Sequence, residues 1–274
     1  MPTPDLIPLN SFNSVDKSST ANLEIAGGQT IDEIVIEYNY DTTVGDEFDP
    51  SHMPAVRLNL NTEDIIDVKA SDLVMLEKYK HGATTNGFLV IPLADILAKT
   101  FEGMSSTGLV TFSTDAISLE VETNNAKATS GGVSLKAFAR FSQARKQRLV
   151  IPKLRRFSYS TSVSGDFEIT NLARRPRYHR LHVMSAQANE VKLFVDRVKR
   201  YQQTDARNTF MLSRHDRTKQ AGVFHVDFVA DSYNLAHPLV TAGAKQMELV
   251  INMTAGDSVP ILAEFVEAVA VKAA

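Results

Sequence analysis

The sequence predicts an all-β protein built as two tandem eight-stranded jelly rolls (β-sandwiches), with short helices in the connecting loops. Three observations predict it. The first is an internal repeat at an offset of 135 residues: Val56-Arg57-Leu58-Asn59-Leu60-Asn61 returns as Val191-Lys192-Leu193-Phe194-Val195-Asp196. At the same offset Gly87-Phe88-Leu89-Val90-Ile91 returns as Gly222-Val223-Phe224-His225-Val226. Two collinear matches at one offset mark a duplicated unit, too long for a solenoid repeat. The second is the prevalence of short segments in which apolar residues alternate with polar ones, bounded by Gly, Pro, Asn, Asp and Ser. The third is that these segments look joined by long connections rather than tight hairpins, which favours a jelly roll over a meander or an immunoglobulin sandwich.

In the first copy, strands are expected near 20–25, 33–40, 55–60, 63–69, 87–92, 108–113, 116–122 and 134–141. Typical alternation is Ile34, Ile36 and Tyr38 on one face, or Ile117, Leu119 and Val121. A helix is expected over 71–80, with Ser71 capping its first turn and Leu73, Leu76 and Tyr79 forming its apolar stripe. A second helix is expected near 94–102. The second copy repeats the order, with strands near 149–160, 178–184, 190–195, 197–202, 222–229, 246–253 and 261–271, and a helix near 204–214. A strand at 165–170 reads as an addition, and the strand expected near 240 is faint. The segment 261–271 would also suit a helix; it is read as a strand because Leu135–Phe141 closes the first copy in the same way. The resulting division is an N-terminal arm (1–18), a first roll (19–142), a basic linker (143–148) and a second roll (149–274).

The chain has 274 residues, 43% hydrophobic and 22% charged, enough for two cores of ordinary domain size. No window approaches ~18 uninterrupted apolar residues, so no membrane span is expected. Met1–Asp5 lacks the basic and apolar pattern of a secretory signal. With no cysteine, disulfides and thiolate metal sites are excluded. Net charge is only −3, but residues 1–139 carry 8 basic and 20 acidic side chains and residues 140–274 carry 21 and 12. The halves therefore differ in sign. They can neutralise each other within a chain, or the acidic copy of one chain can dock on the basic copy of the next.

No enzyme motif is present. The seven histidines do not follow the ligand pattern of a cupin metal site. In Tyr178-His179-Arg180-Leu181-His182, two of them are spaced i, i+3 and would point to opposite sides of a strand. There is no nucleophile elbow, phosphate loop or zinc-protease helix. Asp41, Asp46, Glu47 and Asp49 form an acidic loop that could hold calcium, although the spacing is not that of an EF-hand and a solvated loop is the plainer reading. The run Arg140, Arg145, Lys146, Arg148, Lys153, Arg155 and Arg156, with no acid between, reads either as a linker paired with the acidic half or as a patch facing a membrane or a neighbouring chain. First and last strands of a jelly roll are antiparallel neighbours, so the N-terminus, linker and C-terminus should share one pole.

Gly28-Gln29-Thr30 ahead of a strand, Glu168-Ile169-Thr170-Asn171-Leu172 running into Arg175-Pro176-Arg177-Tyr178, then Arg180-Leu181-His182-Val183, Glu190–Asp196 and Phe224-His225-Val226-Asp227-Phe228 resemble, in order and spacing, the double jelly-roll major capsid proteins of tailless icosahedral membrane-containing bacteriophages. The corticovirus coat protein is the nearest likeness, and Arg155-Arg156-Phe157 has a similar counterpart there. The resemblance implies a homotrimeric, pseudo-hexagonal capsomer that is assembled in the host cytoplasm and tiles an icosahedral shell over an internal lipid membrane. The partners it implies are the chain itself, vertex and minor capsid proteins and membrane lipids, with no sequence-specific nucleic acid. Relatives bind calcium, but no specific ligands carry over. The alternative function is a two-domain β-sandwich carbohydrate-binding module. Its usual exposed aromatics are missing, since there is no Trp and most strand Tyr and Phe fall on apolar faces. A bicupin enzyme lacks its ligands. The long connections 41–54 and 231–245 are candidate lattice contacts.

Overall fold

The computed structural model describes residues 5–43, 47–96, 107–124, 132–175, 177–231 and 237–269. The first copy contains β1 (Ile7–Pro8), β2 (Thr20–Ile25), β3 (Thr30–Tyr38), β4 (Ala55–Leu60), β5 (Glu63–Val68), α1 (Ala70–His81), β6 (Phe88–Pro92), β7 (Leu109–Val110), β8 (Ile117–Glu122) and β9 (Leu135–Ser142). The second contains β10 (Val150–Thr161), β11 (Gly165–Ile169), β12 (Arg177–Val183), β13 (Ala188–Val195), β14 (Val198–Thr204), α2 (Asp205–Arg214), β15 (Phe224–Asp227), β16 (Leu239–Val240), β17 (Met247–Met253) and β18 (Asp257–Ala268).

Each copy folds into two facing sheets of the same topology. One sheet runs β1-β9-β3-β6 in the first roll and β10-β18-β12-β15 in the second. The other runs β2-β8-β4-β5 and β11-β17-β13-β14. The short β7 and β16 add to β3 and β12 respectively. This is the order of a jelly roll in both copies, and it encloses two separate cores. The first is built on Leu23, Ile34, Ile36, Leu58 and Leu119, the second on Leu181, Val191, Phe224, Leu249 and Ile261. All of these are at most 1% exposed.

Even the irregularities repeat. The second of the two strands in each hairpin bulges against the first, Ile65 in one roll and Arg200 in the other, at the 135-residue offset. The third strand of each roll bulges against the last, at Asp32 and at His179. Bulges re-aim side chains and persist as designed features.

The rolls are joined edge to edge. Strand β5 lies parallel to β10, with Ile66 opposite Leu154 and Asp67 opposite Arg155, so one sheet of each roll merges into a continuous nine-stranded sheet.

Several expectations need correction. The connection between β4 and β5 is a two-residue turn, Asn61-Thr62, with φ of 51° and 73°, and Asp196-Arg197 repeats it at 49° and 65°. Both central residues are left-handed, as a twist-matched hairpin requires, but neither turn carries the usual Gly. Ile7–Pro8, within the expected N-terminal arm, pairs with β9. Helix α1 begins one residue before Ser71, whose capping role falls instead to the Asp72 carboxylate, accepting from the Lys69 N–H at 3.1 Å. The last segment, by contrast, is a strand as expected, the long β18 paired along its whole length with β10. Most of the helix expected over 94–102 lies outside the described residues.

Candidate functional site: the seam between the rolls

Helix α1 lies across the outer face of the β10-β18-β12-β15 sheet of the second roll. Alternation explains that face. Leu181, Val183, Ile261 and Phe224 point into the second core; the intervening Arg180, His182, Leu262, Glu264, His225 and Asp227 therefore point out, towards α1. Leu73 and Leu76 of α1 share a cluster with Leu154 and Leu262 of that outer face. Burial of each such side chain contributes roughly 1.5–3 kcal/mol.

Around this apolar strip sits a buried polar network. Tyr79 donates its hydroxyl to Asp227 at 2.7 Å, and its ring stacks on His225 with centroids 4.2 Å apart. Arg180 holds Asp227 at 2.8 Å and reaches Glu264 at 3.4 Å; Lys80 meets Glu264 at 2.6 Å. The histidine tautomers follow from the partners. The Gln220 N–H donates to His225 Nε2, so His225 Nδ1 carries the hydrogen that goes to His182 Nδ1 at 2.7 Å. His182 Nε2–H then donates to Glu264 at 3.0 Å.

Both imidazoles are thus neutral, and burial, with the cationic side chains nearby, enforces it. His225 is pushed down to about 2 and His179 to about 3, and His182 is lowered as well. Burial opposes ionisation of Glu264, but Lys80 and Arg180 outweigh it and hold the carboxyl well below its usual range; Arg180 likewise lowers Asp227. Buried ion pairs of this kind fix geometry more than they add stability, but removing one partner is costly.

The i, i+3 argument about His179 and His182 fails at the bulge. With His179 the extra residue between Tyr178 and Arg180, both histidines lie on the outer side, where His179 and Glu264 line a small cavity. Among the described residues no group of three His, Cys, Asp or Glu is arranged to hold a metal ion. In the acidic loop, Asp41 accepts from the Thr43 N–H and Asp49 caps a short 3-10 helix (Pro50–His52) through Ser51. Glu47 is half-buried, and Asp46 lies outside the described residues.

The seven basic residues do not form one open patch. Lys153 is buried against Glu63 and Glu267, the half-buried Arg156 pairs with Asp72, and the half-buried Arg148 pairs with Asp115 with its guanidinium over the Phe112 ring at 4.8 Å. Arg155 donates to the Asp64 carbonyl at 2.6 Å, and Arg140 pairs with Glu33 at 3.1 Å. Arg145 is half-buried and acts on Asp32; Lys146 is exposed. Three of the seven therefore clamp the second roll or the linker onto carboxylates of the first, and Arg155 does so through a backbone carbonyl. The charge split is used first within the chain. Tyr79, Lys80, Arg180, His225, Asp227 and Glu264 were not expected to form a site; those on strands carried one signal, charged and His residues at the outward positions of strands with strongly apolar inward ones.

Two jelly rolls of identical topology, fused through a shared sheet and a buried seam, define a double jelly-roll capsid protein. Family models agree, the N-terminal domain of viral coat protein P2 matching residues 6–142 and its C-terminal domain residues 151–269. The chain belongs to the P2 viral coat protein family. Among solved structures it is similar to the major capsid protein P2 of bacteriophage PM2, with 20% identity over 97% of this chain and 98% of that one and a TM-score of 0.83. VP54 of PBCV-1 follows at 10% identity, covering 96% and 92%, with a TM-score of 0.68. The STIV MCP aligns at 12%, covering 98% and 96%, with a TM-score of 0.63. No curated protein sequence matches the chain. Its role is that of a structural subunit of the virion capsid, and the carbohydrate-binding alternative is set aside.

Proposed function

We propose that three copies of the chain close into a pseudo-hexagonal capsomer that tiles an icosahedral shell over an internal lipid membrane, with vertex and minor capsid proteins as neighbours. The observation that carries the reading is the repeated topology joined edge to edge: six near-equivalent rolls in a ring need one mode of roll-to-roll contact, and the chain already contains one instance of it. The chain acts through assembly, and no catalytic step is assigned to it. Contact with lipid falls to the pole where the linker crosses, since Val150 and Ala268 pair there and Lys146 is exposed beside it. Calcium is not needed by this reading. Light scattering on the purified protein tests it: a species of three chain masses is expected, and a monomer at all concentrations would overturn the proposal.

A further inference from the structure

The two rolls offer the same surfaces, but only one of each pair is covered. Edge strand β5 is paired with β10, whereas its counterpart β14 ends the four-stranded sheet of the second roll with no further strand on its outer edge among the described residues. Helix α1 buries Asp72, Leu76 and Tyr79 against the other roll; at the 135-residue offset α2 exposes Arg207, Met211 and Arg214, with Phe210 61% exposed beside them. The receiving face shows the same contrast. Leu154 and Leu262, under α1, are 3% and 0% exposed. Strand register places Leu6 and Phe138 at their positions in the first roll, where Leu6 is 40% exposed and Phe138 is partly exposed. Edge strands left unpaired are templates for pairing with another chain.

We infer that β14 and α2 of one copy dock on the β1-β9-β3-β6 face of the next, repeating between chains the contact that β5 and α1 make within one. This rests on the trimeric reading and names its interface. Transposed by register, Gln202 lies opposite Ile7 of the next copy, as Asp67 lies opposite Arg155, and Met211 packs on Leu6 and Phe138. Tyr79 fills the space over His182 and His225; the matching positions, Val35 and Val90, line an open cavity of about 220 Å3 whose other wall is formed by Glu77, Lys80 and His81 of α1 and by Arg180 and Arg217 of the same chain's second roll. Arg214, at the position of Tyr79, would stand over this cavity, where Glu33, Glu77 and Asp95 supply the acidic part of the lining.

The charges support the assignment independently. Across the third and last strands, Arg180 faces Glu264 in the second roll, whereas Glu33 faces Arg140 at the equivalent place in the first. The ion pair is kept with its signs exchanged. The docking elements are exchanged too: β5 and α1 bring Glu63, Asp64 and Asp72 to Lys153, Arg155 and Arg156, while β14 and α2 carry Lys199, Arg200, Arg207 and Arg214. On the receiving face, Asp5 stands at the position of Lys153. A basic edge thus meets a face on which Asp5 and Glu33 stand at the positions of Lys153 and Arg180, and complementary charges of this kind set register.

The absence of native cysteine gives a clean test. A chain carrying Ile7→Cys and Gln202→Cys, assembled and treated with a short bismaleimide or a mild oxidant, should run on denaturing gels at up to three chain masses, and neither single variant should. A control carrying Asp67→Cys and Arg155→Cys should close within one chain. Trimers that stay unlinked while the control closes overturn the interface but leave the trimeric reading standing. Wild-type protein that is never trimeric removes both. Met211→Asp, at a 41% exposed position, should keep the monomer's melting curve and lose the trimer, whereas Val163→Asp at a 65% exposed one should keep both. A fully trimeric Met211→Asp variant would also overturn the assignment.

Discussion

The hydroxyl of Tyr79, on the helix of the first roll, donates to Asp227 on an edge strand of the second at 2.7 Å, while the same ring stacks on His225. One side chain thus anchors the two rolls through both a charge-assisted hydrogen bond and an aromatic contact. Tyr79→Phe should keep the stack and lose the bond, destabilising the chain by about 1.5–3 kcal/mol. Tyr79→Ala loses both and should cost about 3–5 kcal/mol. Urea unfolding measures each; equal losses for the two variants would show that the hydroxyl carries the whole contribution.

Glu264 receives Lys80, Arg180 and His182 together. Glu264→Gln keeps the shape but leaves the cations without their shared anion, and should cost about 3–5 kcal/mol. The more informative variant adds Lys80→Met. If the pair matters chiefly as a pair, the double variant should recover part of the loss, read as coupling in a double-mutant cycle.

The seam should weaken in acid. His179 and His225 have folded pKa values of about 3 and about 2, below the ordinary 6.5. Between those limits the unfolded chain binds more protons, so stability is fully present above about pH 6.5 and falls as pH drops. Asp227 and Glu264, both held low, add a further loss below their ordinary values near 4. Urea midpoints should decline steadily from pH 7 to pH 4; His225→Phe should flatten the upper part of that decline.

Asp32 works in the opposite sense. Burial raises its carboxyl to about 6 despite the Ser142 hydroxyl and Arg145. The folded form then holds a proton that the unfolded form releases, so its contribution falls as pH rises from about 4 through 6. Asp32→Asn should stabilise the first roll at pH 8 by about 1–3 kcal/mol and have little effect near pH 4.

Salt should separate the two levels of contact. Arg148–Asp115 is nearly enclosed within the chain, with side chains 9% and 6% exposed, and such pairs are weakly screened. Subunit assembly, steered by exposed charge, should weaken as ionic strength rises. Melting temperature of the monomer constant from low to high salt, alongside a rising dissociation constant for the trimer, is the expected pattern; trimers indifferent to salt would leave apolar contact as the sole support.

Strands were legible because alternation of period two is a local property: Ile117, Leu119 and Val121 announce an inward face whatever lies opposite. The charge split and the basic run were also plain. The bulge at His179 was not, because an extra residue changes which face a side chain takes without altering composition. The turns Asn61-Thr62 and Asp196-Arg197 escaped because left-handed φ was met there without glycine.

The 135-residue repeat, the period-two alternation and the charge count by themselves determined the duplication, the all-β class and the opposite signs of the halves, since each is written in order and composition. Tertiary structure alone decided what the charges meet. Arg156 finds Asp72, and Lys153 finds Glu63, across 84 and 90 residues of chain. Tyr79 reaches Asp227 across 148. Partners so far apart are chosen by how two rolls pack and by the cost of leaving a buried charge unpaired, and no local pattern records that choice.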